Sequence, residues 1–427
     1  METKEIFETL LTNLKVGDTA KIVKSRRERI AKSLNREFLG KEDSTANTMM
    51  VGSYGRHTAI KGISDLDMLY FLPEALNSDY KTSETGPSRA LNRVRNALKE
   101  TYPSTEIKVD QCVVSVQFAS NKFRFEVQPV FCNSDGSFSY PDTISKTWKS
   151  TKPRQEIEAT QECNQRTSHN MRHLARMIRA WRNHVNLPIG GLLIDTLVYR
   201  FFEQTNTYAS AGTSKFDEMA RDFFDFLQHQ PAQSYYSALG SKQHVRVKAK
   251  FQPKAKKAYN AALNAIETDN ENKALGEWRK VFGPALPNKS KKATRSFTNT
   301  EEFIERQYPV DIRESVTVDC DVTQDGWRTQ SLREMLRTKS FLKPKKELSF
   351  RITSCTAQKP YEVKWKVLNR GSEAERRNHI RGQIISSNYP HSHKETTQFS
   401  GDHLVECYII QNNVVIARDK IHVPIGI

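Results

Sequence analysis

Asp65-Leu66-Asp67-Met68-Leu69-Tyr70-Phe71-Leu72 sets two carboxylates one residue apart at the head of an apolar run of strand length. Side chains on a strand alternate faces, so Asp65 and Asp67 point one way while Leu66 and Met68 point into a core. Two like charges a few ångströms apart repel, and a divalent cation between them removes the conflict. Magnesium takes carboxylate oxygens and keeps positions open for water and phosphate. Just upstream, Val51-Gly52-Ser53-Tyr54-Gly55 supplies small residues and a hydroxyl, which let backbone N–H groups approach a polyphosphate closely. The adjoining segment, through Arg56 and Thr58, is expected to begin a helix whose positive end adds to the attraction.

A third carboxylate is expected on a neighbouring strand. Lys122 to Phe131 alternates with a period of two: Phe123, Phe125 and Val127 share one face, and Arg124, Glu126 and Gln128 the other. Glu126 is the candidate third ligand, and Pro129 is expected to end the strand or mark a sheet edge.

Gly52-Ser53, Thr58, Ser64-Asp65-Leu66-Asp67 and an acidic residue before Val127-Gln128-Pro129 resemble the polymerase-beta-like nucleotidyltransferases, in particular the cGAS/DncV-like enzymes of bacterial antiphage signalling. Trp148 to Phe202, with Lys152-Pro153-Arg154, Arg179-Ala180-Trp181 and Leu192 to Leu197, is similar to the helical half that closes over the nucleotide in that family. Phe303 to Ile425 resembles the AGS-C sensor domain of some members at Tyr308-Pro309-Val310, Leu348-Ser349-Phe350, Trp365 to Gly371, Arg381-Gly382, Thr396 and Gly401-Asp402-His403. The resemblance implies an α+β fold: a polymerase-beta-like palm with a helical second lobe, then a mostly antiparallel β-sandwich. It implies magnesium, as two ions with manganese an alternative, held by Asp65, Asp67 and Glu126. Nucleotide contacts are expected from Gly52, Ser53, Arg56, Thr58 and Arg179. Three positions depart from the family pattern. Glu126 stands where Asp is usual, Arg179 where many members have Lys, and Gly190-Gly191 where a Ser is common. Arg grips phosphate with a planar fork where Lys is a point charge.

A chain of 427 residues is too long for one core. The expected division is a catalytic core with N-terminal helices over residues 1–150, the helical lobe over 151–295, and the sandwich over 303–427. Six scattered cysteines without a Cys-x-x-Cys signal neither a disulfide framework nor structural zinc, which points to the reducing cytoplasm. No signal peptide or membrane span is expected. The formal charge of +17 favours polyanionic company: nucleoside triphosphates, an oligonucleotide product, or an activating nucleic acid. Basic residues concentrate at Lys24 to Arg29, Lys242 to Lys257 and Lys289 to Arg295, and each run reads first as solvated surface.

Helical spacing over residues 5–37 suggests one or two helices bracing the catalytic sheet. Gln155 to His184, Leu192 to Phe202, Phe216 to Leu227 and Ala255 to Phe282 read as further helices, with Gly283-Pro284 as a stop. Arg172, Arg176 and Arg179 recur at helical spacing, as a solvated stripe or, for Arg179, a phosphate contact. Leu348–Thr353, Tyr361–Val367, Ile380–Ile385, Val405–Gln411 and Val414–Val423 read as sandwich strands. His391 and His393 are expected in a polar surface loop and are assigned no metal.

The resemblance implies synthesis of a cyclic oligonucleotide second messenger from ribonucleoside triphosphates, with a separate effector protein binding the product and a nucleic-acid or protein activator. Two alternatives stay open: RNA tailing or linear oligoadenylate synthesis, and a degenerate site in a ligand-binding scaffold.

Overall fold

The computed structural model describes residues 1–17, 19–62, 64–118, 123–288, 300–323, 329–340, 342–386 and 391–426. Lys122, the Lys289–Arg295 run and the expected boundary at 295 lie outside them. The chain divides into two compact units, Met1–Val185 with Ile189–Pro287, and Asn186–Pro188 with Asn288–Ile427.

The first unit begins with α1 (Thr3–Leu14) and α2 (Thr19–Leu39), then β1 (Thr48–Met50), α3 (Gly52–Gly55) and β2 (Asp65–Phe71). There follow α4 (Asn77–Lys81), α5 (Gly86–Thr101), β3 (Glu106–Val109), β4 (Val114–Gln117), β5 (Arg124–Cys132), β6 (Phe138–Asp142) and β7 (Thr147–Thr151). The sheet runs β1-β2-β5-β4-β3, with β6 joining the far end of β5 and β7. Only β2 and β5 pair in parallel among these neighbours, which requires a crossover; α5 and the β3–β4 hairpin supply it. Leu66, Met68, Tyr70, Phe125 and Val127 are buried beneath α5, whose Leu91, Val94 and Leu98 repeat at helical spacing. The alternation of β2 therefore leaves Asp65 and Asp67 on the opposite, less covered face.

Pro129 does not end β5, but it stands where the strand has a neighbour on one side only, β2. The strand runs on to Cys132, while β4 stops pairing at Val127, so the missing amide costs that ladder nothing.

The helical part comprises α6 (Pro153–Arg166), α7 (Asn170–His184), α8 (Gly191–Gln204), α9 (Phe216–Gln228), the hairpin strands β8 (Tyr235–Ser237) and β9 (His244–Arg246), α10 (Gln252–Ile266) and α11 (Glu271–Phe282). Where the sequence reads as one helix from 155 to 184, the chain breaks at Ser168 and His169, both at positive φ. Asn164 stabilises the break, its Oδ1 accepting from the Arg172 amide at 3.2 Å and its Nδ2 lying 2.9 Å from His169 Nδ1. The expected helix from 255 to 282 likewise divides before Asn270, whose side chain caps α11 by accepting from the Lys273 amide at 3.0 Å.

Of the two N-terminal helices, α2 braces the sheet through Val23, Ile30 and Leu34. α1 does not. It packs on the helical part, where Phe7 meets Phe216, Trp278 and Phe282 edge-on at centroid separations of 6.3, 5.0 and 6.3 Å.

The second unit holds α12 (Ile304–Gln307), β10 (Val316–Thr323), β11 (Gln330–Ser331), α13 (Leu332–Arg337), β12 (Glu347–Cys355), β13 (Glu362–Leu368), α14 (Ser372–Arg376), β14 (Arg381–Ser386), β15 (Ser392–Thr396), β16 (Gly401–Gln411) and β17 (Val414–Ile425). Two antiparallel sheets, β11-β10-β12-β15 and β14-β13-β16-β17, enclose Phe350, Trp365, Cys407 and Ile409. Lys366 is buried and held between Glu301 (2.8 Å) and Glu406 (3.2 Å). His393 is not in a loop: it lies on β15 with its Nε2 2.8 Å from Glu395, which also binds Arg381 through two hydrogen bonds.

Phe7→Ala would empty an aromatic-lined hole at the root of α1. The expected loss is about 3–5 kcal/mol, read as a lower midpoint of the first unit's unfolding transition in urea.

Candidate active site

The β2–β5 register sets Asp67 directly beside Glu126 and Asp65 beside Arg124. Register partners on adjacent strands face the same way, so all four side chains share one side of the sheet. The three carboxylates foreseen in the sequence are thus brought together. Between them lies a cation supplied by the chain itself: Arg124 Nε is 2.9 Å from Asp65 Oδ1, and one of its terminal nitrogens donates to Glu126. Arg124 has the same period-two relation to Glu126 that Asp65 has to Asp67, a signal present in the sequence whose consequence needed the strand register.

Asp67 also packs against the turn that precedes it. Gly52 adopts φ +60°, and a methyl group there would lie 1.8 Å from Asp67 Oδ2. Glycine is needed twice over, for the left-handed backbone and for the close approach. The Val51 amide donates to the Asp67 carbonyl at 2.9 Å, so turn and strand are joined at both backbone and side chain. Gly52 and Ser53 open α3, whose first N–H groups have no intrahelical acceptor.

Arg56, Thr58 and Arg179 take a different place from the one expected. All are buried, and all converge on Asp195 of α8, itself fully buried. Arg56 Nε donates to Asp195 Oδ2 at 2.8 Å and Thr58 Oγ1 donates to the same oxygen at 3.0 Å; Arg179 contributes two bonds of 2.7 and 2.8 Å. Arg179 Nη2 also donates to the Gly191 carbonyl at 3.1 Å, and a methyl group on Gly191 would crowd that nitrogen at 3.2 Å. Gly191 therefore makes room for Arg179, whose guanidinium is turned to Asp195. Arg56 further meets Glu156 of α6 at 3.4 Å, and Ser241 donates to the other Glu156 oxygen at 3.0 Å.

The Arg172–Arg176–Arg179 stripe is a clamp. Arg172 Nε donates to the Arg56 carbonyl at 3.2 Å and Arg176 to the His57 carbonyl at 2.9 Å. The segment after the Gly-Ser turn is thus held directly by two α7 arginines, and by Arg179 through Asp195. Burial raises the carboxyl pKa of both Asp195 and Glu156, but the outcome differs. Two guanidiniums bonded to Asp195 outweigh its burial and hold it below the ordinary value, whereas Glu156, with Arg56 more distant, stays above it.

Three carboxylates on one sheet face offer the hard oxygen donors that divalent cations take, with Arg124 bonded to two of them. Among the described residues, no three acidic, His or Cys side chains converge tightly enough to ligate one ion as they stand. Arg124 bridges Asp65 and Glu126 in that arrangement.

Fold and site together define a polymerase-beta-like nucleotidyltransferase. The chain covers 99% of a CdnC protein from E. coli MS115-1, solved in complex with HORMA-deltaN, with TM-score 0.53, 15% identity and 67% of this chain aligned. The same protein solved with ATP superposes with TM-score 0.51 at 14% identity, again over 67% of this chain and 99% of that one. Residues 1–164 match the Second Messenger Oligonucleotide or Dinucleotide Synthetase domain, and residues 298–426 the Adenylyl/Guanylyl and SMODS C-terminal sensor domain. A probable cyclic nucleotide synthase of Bacillus cereus (strain VD146) is 24% identical over 55% of this chain and 81% of its own length. A cyclic AMP-AMP-AMP synthase of Acinetobacter sp. (strain ATCC 27244 / 9458) is 25% identical over 56% and 73%. The chain belongs to the cGAS/DncV-like nucleotidyltransferases that carry a C-terminal sensor domain of the AGS-C type. Among the described residues no helix is long and apolar enough to cross a membrane.

Asp195→Asn leaves two buried guanidiniums short of a counter-charge and should cost about 3–5 kcal/mol, measured by urea unfolding at pH 7. A carboxyl with a native pKa below its unfolded value of 3.8 stabilises fully above that value and loses the contribution as pH falls towards the native pKa. The variant's stability is therefore expected to decline less steeply than wild type below pH ~4.

Proposed function

We propose that the chain joins ribonucleoside triphosphates into a cyclic oligonucleotide with release of pyrophosphate, using magnesium or manganese held by Asp65, Asp67 and Glu126. The observation that carries this reading is the placement of the three carboxylates on one sheet face beside a Gly-Ser turn. Bound there, the ions supply Lewis-acid activation of the acceptor ribose hydroxyl and charge neutralisation at the departing pyrophosphate. Ser53 and the first N–H groups of α3 are the phosphate-facing donors. Gly52 lets that turn press against Asp67, and the Asp195 network with Arg56, Thr58 and Arg179 holds the turn at a fixed distance from β2. Glu126, one methylene longer than Asp, accepts a hydrogen bond from Arg124.

The cyclic product is favoured over RNA tailing because both curated relatives are named as cyclic nucleotide synthases. A degenerate scaffold is disfavoured by three acidic residues kept in register. We extend the reading to antiphage signalling: the product acts on a separate effector protein, and an activator, protein or nucleic acid, relieves a resting state. The HORMA complex of the structural neighbour supports a protein activator.

Incubation with all four ribonucleotides and magnesium or manganese, followed by mass spectrometry, should give a small phosphatase-resistant product. A linear oligomer or a tailed RNA would overturn the cyclic assignment. Asp67→Asn is expected to reduce pyrophosphate release by about 10²–10³-fold or more, the scale of losing one transition-state charge partner. Arg124→Gln removes the resident cation; manganese binding, followed by electron paramagnetic resonance, should tighten and the metal-free protein should unfold at a lower temperature. Weaker binding in this variant would instead make Arg124 an orienting partner of the carboxylates.

A further inference from the structure

Between Asp225 and Glu267 the sequence contains no carboxylate side chain, yet it holds Lys242, Arg246, Lys248, Lys250, Lys256 and Lys257. Elsewhere in the first unit cations lie among acidic residues and pair with them, as Arg89 does with Asp79 and Arg93 with Glu37. The stretch itself supplies no such acid. Its burial alternates residue by residue: Lys242, His244, Arg246, Lys248 and Lys250 are exposed, and the residues between them are partly covered. Within β9 His244 and Arg246 share one face, about 6.6 Å apart, with Lys242 exposed at the hairpin turn before the strand and Lys248 and Lys250 exposed just after it.

The inner face fixes this strip in place. Gln243 donates to the Ser150 carbonyl at 3.2 Å and accepts from the Lys152 amide at 3.0 Å. The Val247 amide donates to the Ser234 carbonyl at 2.8 Å, and Tyr236, buried on the adjoining strand β8, donates its hydroxyl to the Pro231 carbonyl at 2.9 Å. On the outer face Tyr235 is 47% exposed and its ring stacks on His244, with centroids 3.9 Å apart and planes 25° from parallel. A row of cations at backbone-phosphate reach, beside an exposed aromatic surface, is the pairing that single-stranded nucleic acids require: charge along the strand and a flat surface for a base. A duplex keeps its bases stacked inside and would leave Tyr235 without a role.

We propose that the β8–β9 hairpin and the segment to Lys250 form a binding surface for single-stranded nucleic acid. Lys242, Arg246 and Lys250 contact phosphates spaced along the strand, and the Tyr235–His244 pair receives a base.

The test uses the full chain and a fluorescein-labelled oligouridylate of about twelve nucleotides, with anisotropy recorded from low to physiological salt. Removing three phosphate contacts with Lys242→Gln, Arg246→Gln and Lys250→Gln should weaken binding at least tenfold and flatten the log–log salt slope by about 2. Tyr235→Ala should weaken binding about fivefold or more with the slope unchanged. A control with Lys339, Lys343 and Lys345, all exposed in the second unit, replaced by Gln removes the same charge and should bind as wild type. Equal loss in the control would reduce the effect to net charge and overturn the proposal. So would a blunt-ended RNA duplex, or vesicles of phosphatidylserine and phosphatidylcholine, binding more tightly than the single strand. Circular dichroism and pyrophosphate release of each variant without oligonucleotide separate a binding defect from misfolding.

Discussion

Asp195 is the single charge on which the catalytic unit depends. It sits on α8 with no exposure to solvent and takes hydrogen bonds from Arg56 and Thr58, just after the Gly-Ser turn, and from Arg179 on α7. Removing one partner of such a cluster leaves the others charged in a dry interior, which is why networks of this kind hold their members in one arrangement. The turn that precedes β2 is short and rich in glycine, and on its own it would sample many conformations. Its geometry comes from the helices: Arg172 and Arg176 hold the Arg56 and His57 carbonyls, and Gly52 leaves space for Asp67 to close the other side. The distance between the Gly-Ser turn and the acidic strand is thereby set by residues far from either in the sequence.

Much of the fold was readable because period carries burial. Leu66 and Met68 inward, Asp65 and Asp67 outward, followed from alternation alone, and so did the pairing of Phe125 and Val127 against Glu126. The five sandwich strands expected from alternation are β12, β13, β14, β16 and β17, displaced by a few residues at their ends. Breaks without Gly or Pro were harder. The α6–α7 junction is made by Ser168 and His169 in left-handed conformations and by a hydrogen bond from Asn164, none of which leaves a gap in helical spacing. β10 and β15 were missed because Val316 to Thr323 and Ser392 to Thr396 carry polar residues on their exposed faces, which resemble loop composition. For α1, amphipathic spacing identified a buried face but could not say which partner covers it.

The site divides the same way. Three carboxylates could be assigned from local pattern because each lies on a strand with a clear phase. Arg56, Thr58 and Arg179 could not, because what they contact is Asp195, distant in sequence and unremarkable there as one polar residue in Leu192 to Leu197. An Arg at a position where relatives carry Lys invites a phosphate-binding reading. Gly191, part of a departure visible in the sequence, is what lets its fork turn inward.

Arg124 gives the acidic cluster a different standing from that of a bare metal cage. Clustered carboxylates ordinarily depend on an ion to assemble, and the protein around them then inherits that dependence as a requirement for folding. Here a guanidinium anchored on the same strand already balances part of the negative charge. The guanidinium is thus a built-in counter-charge, and these acids can lie side by side without borrowing one from solution.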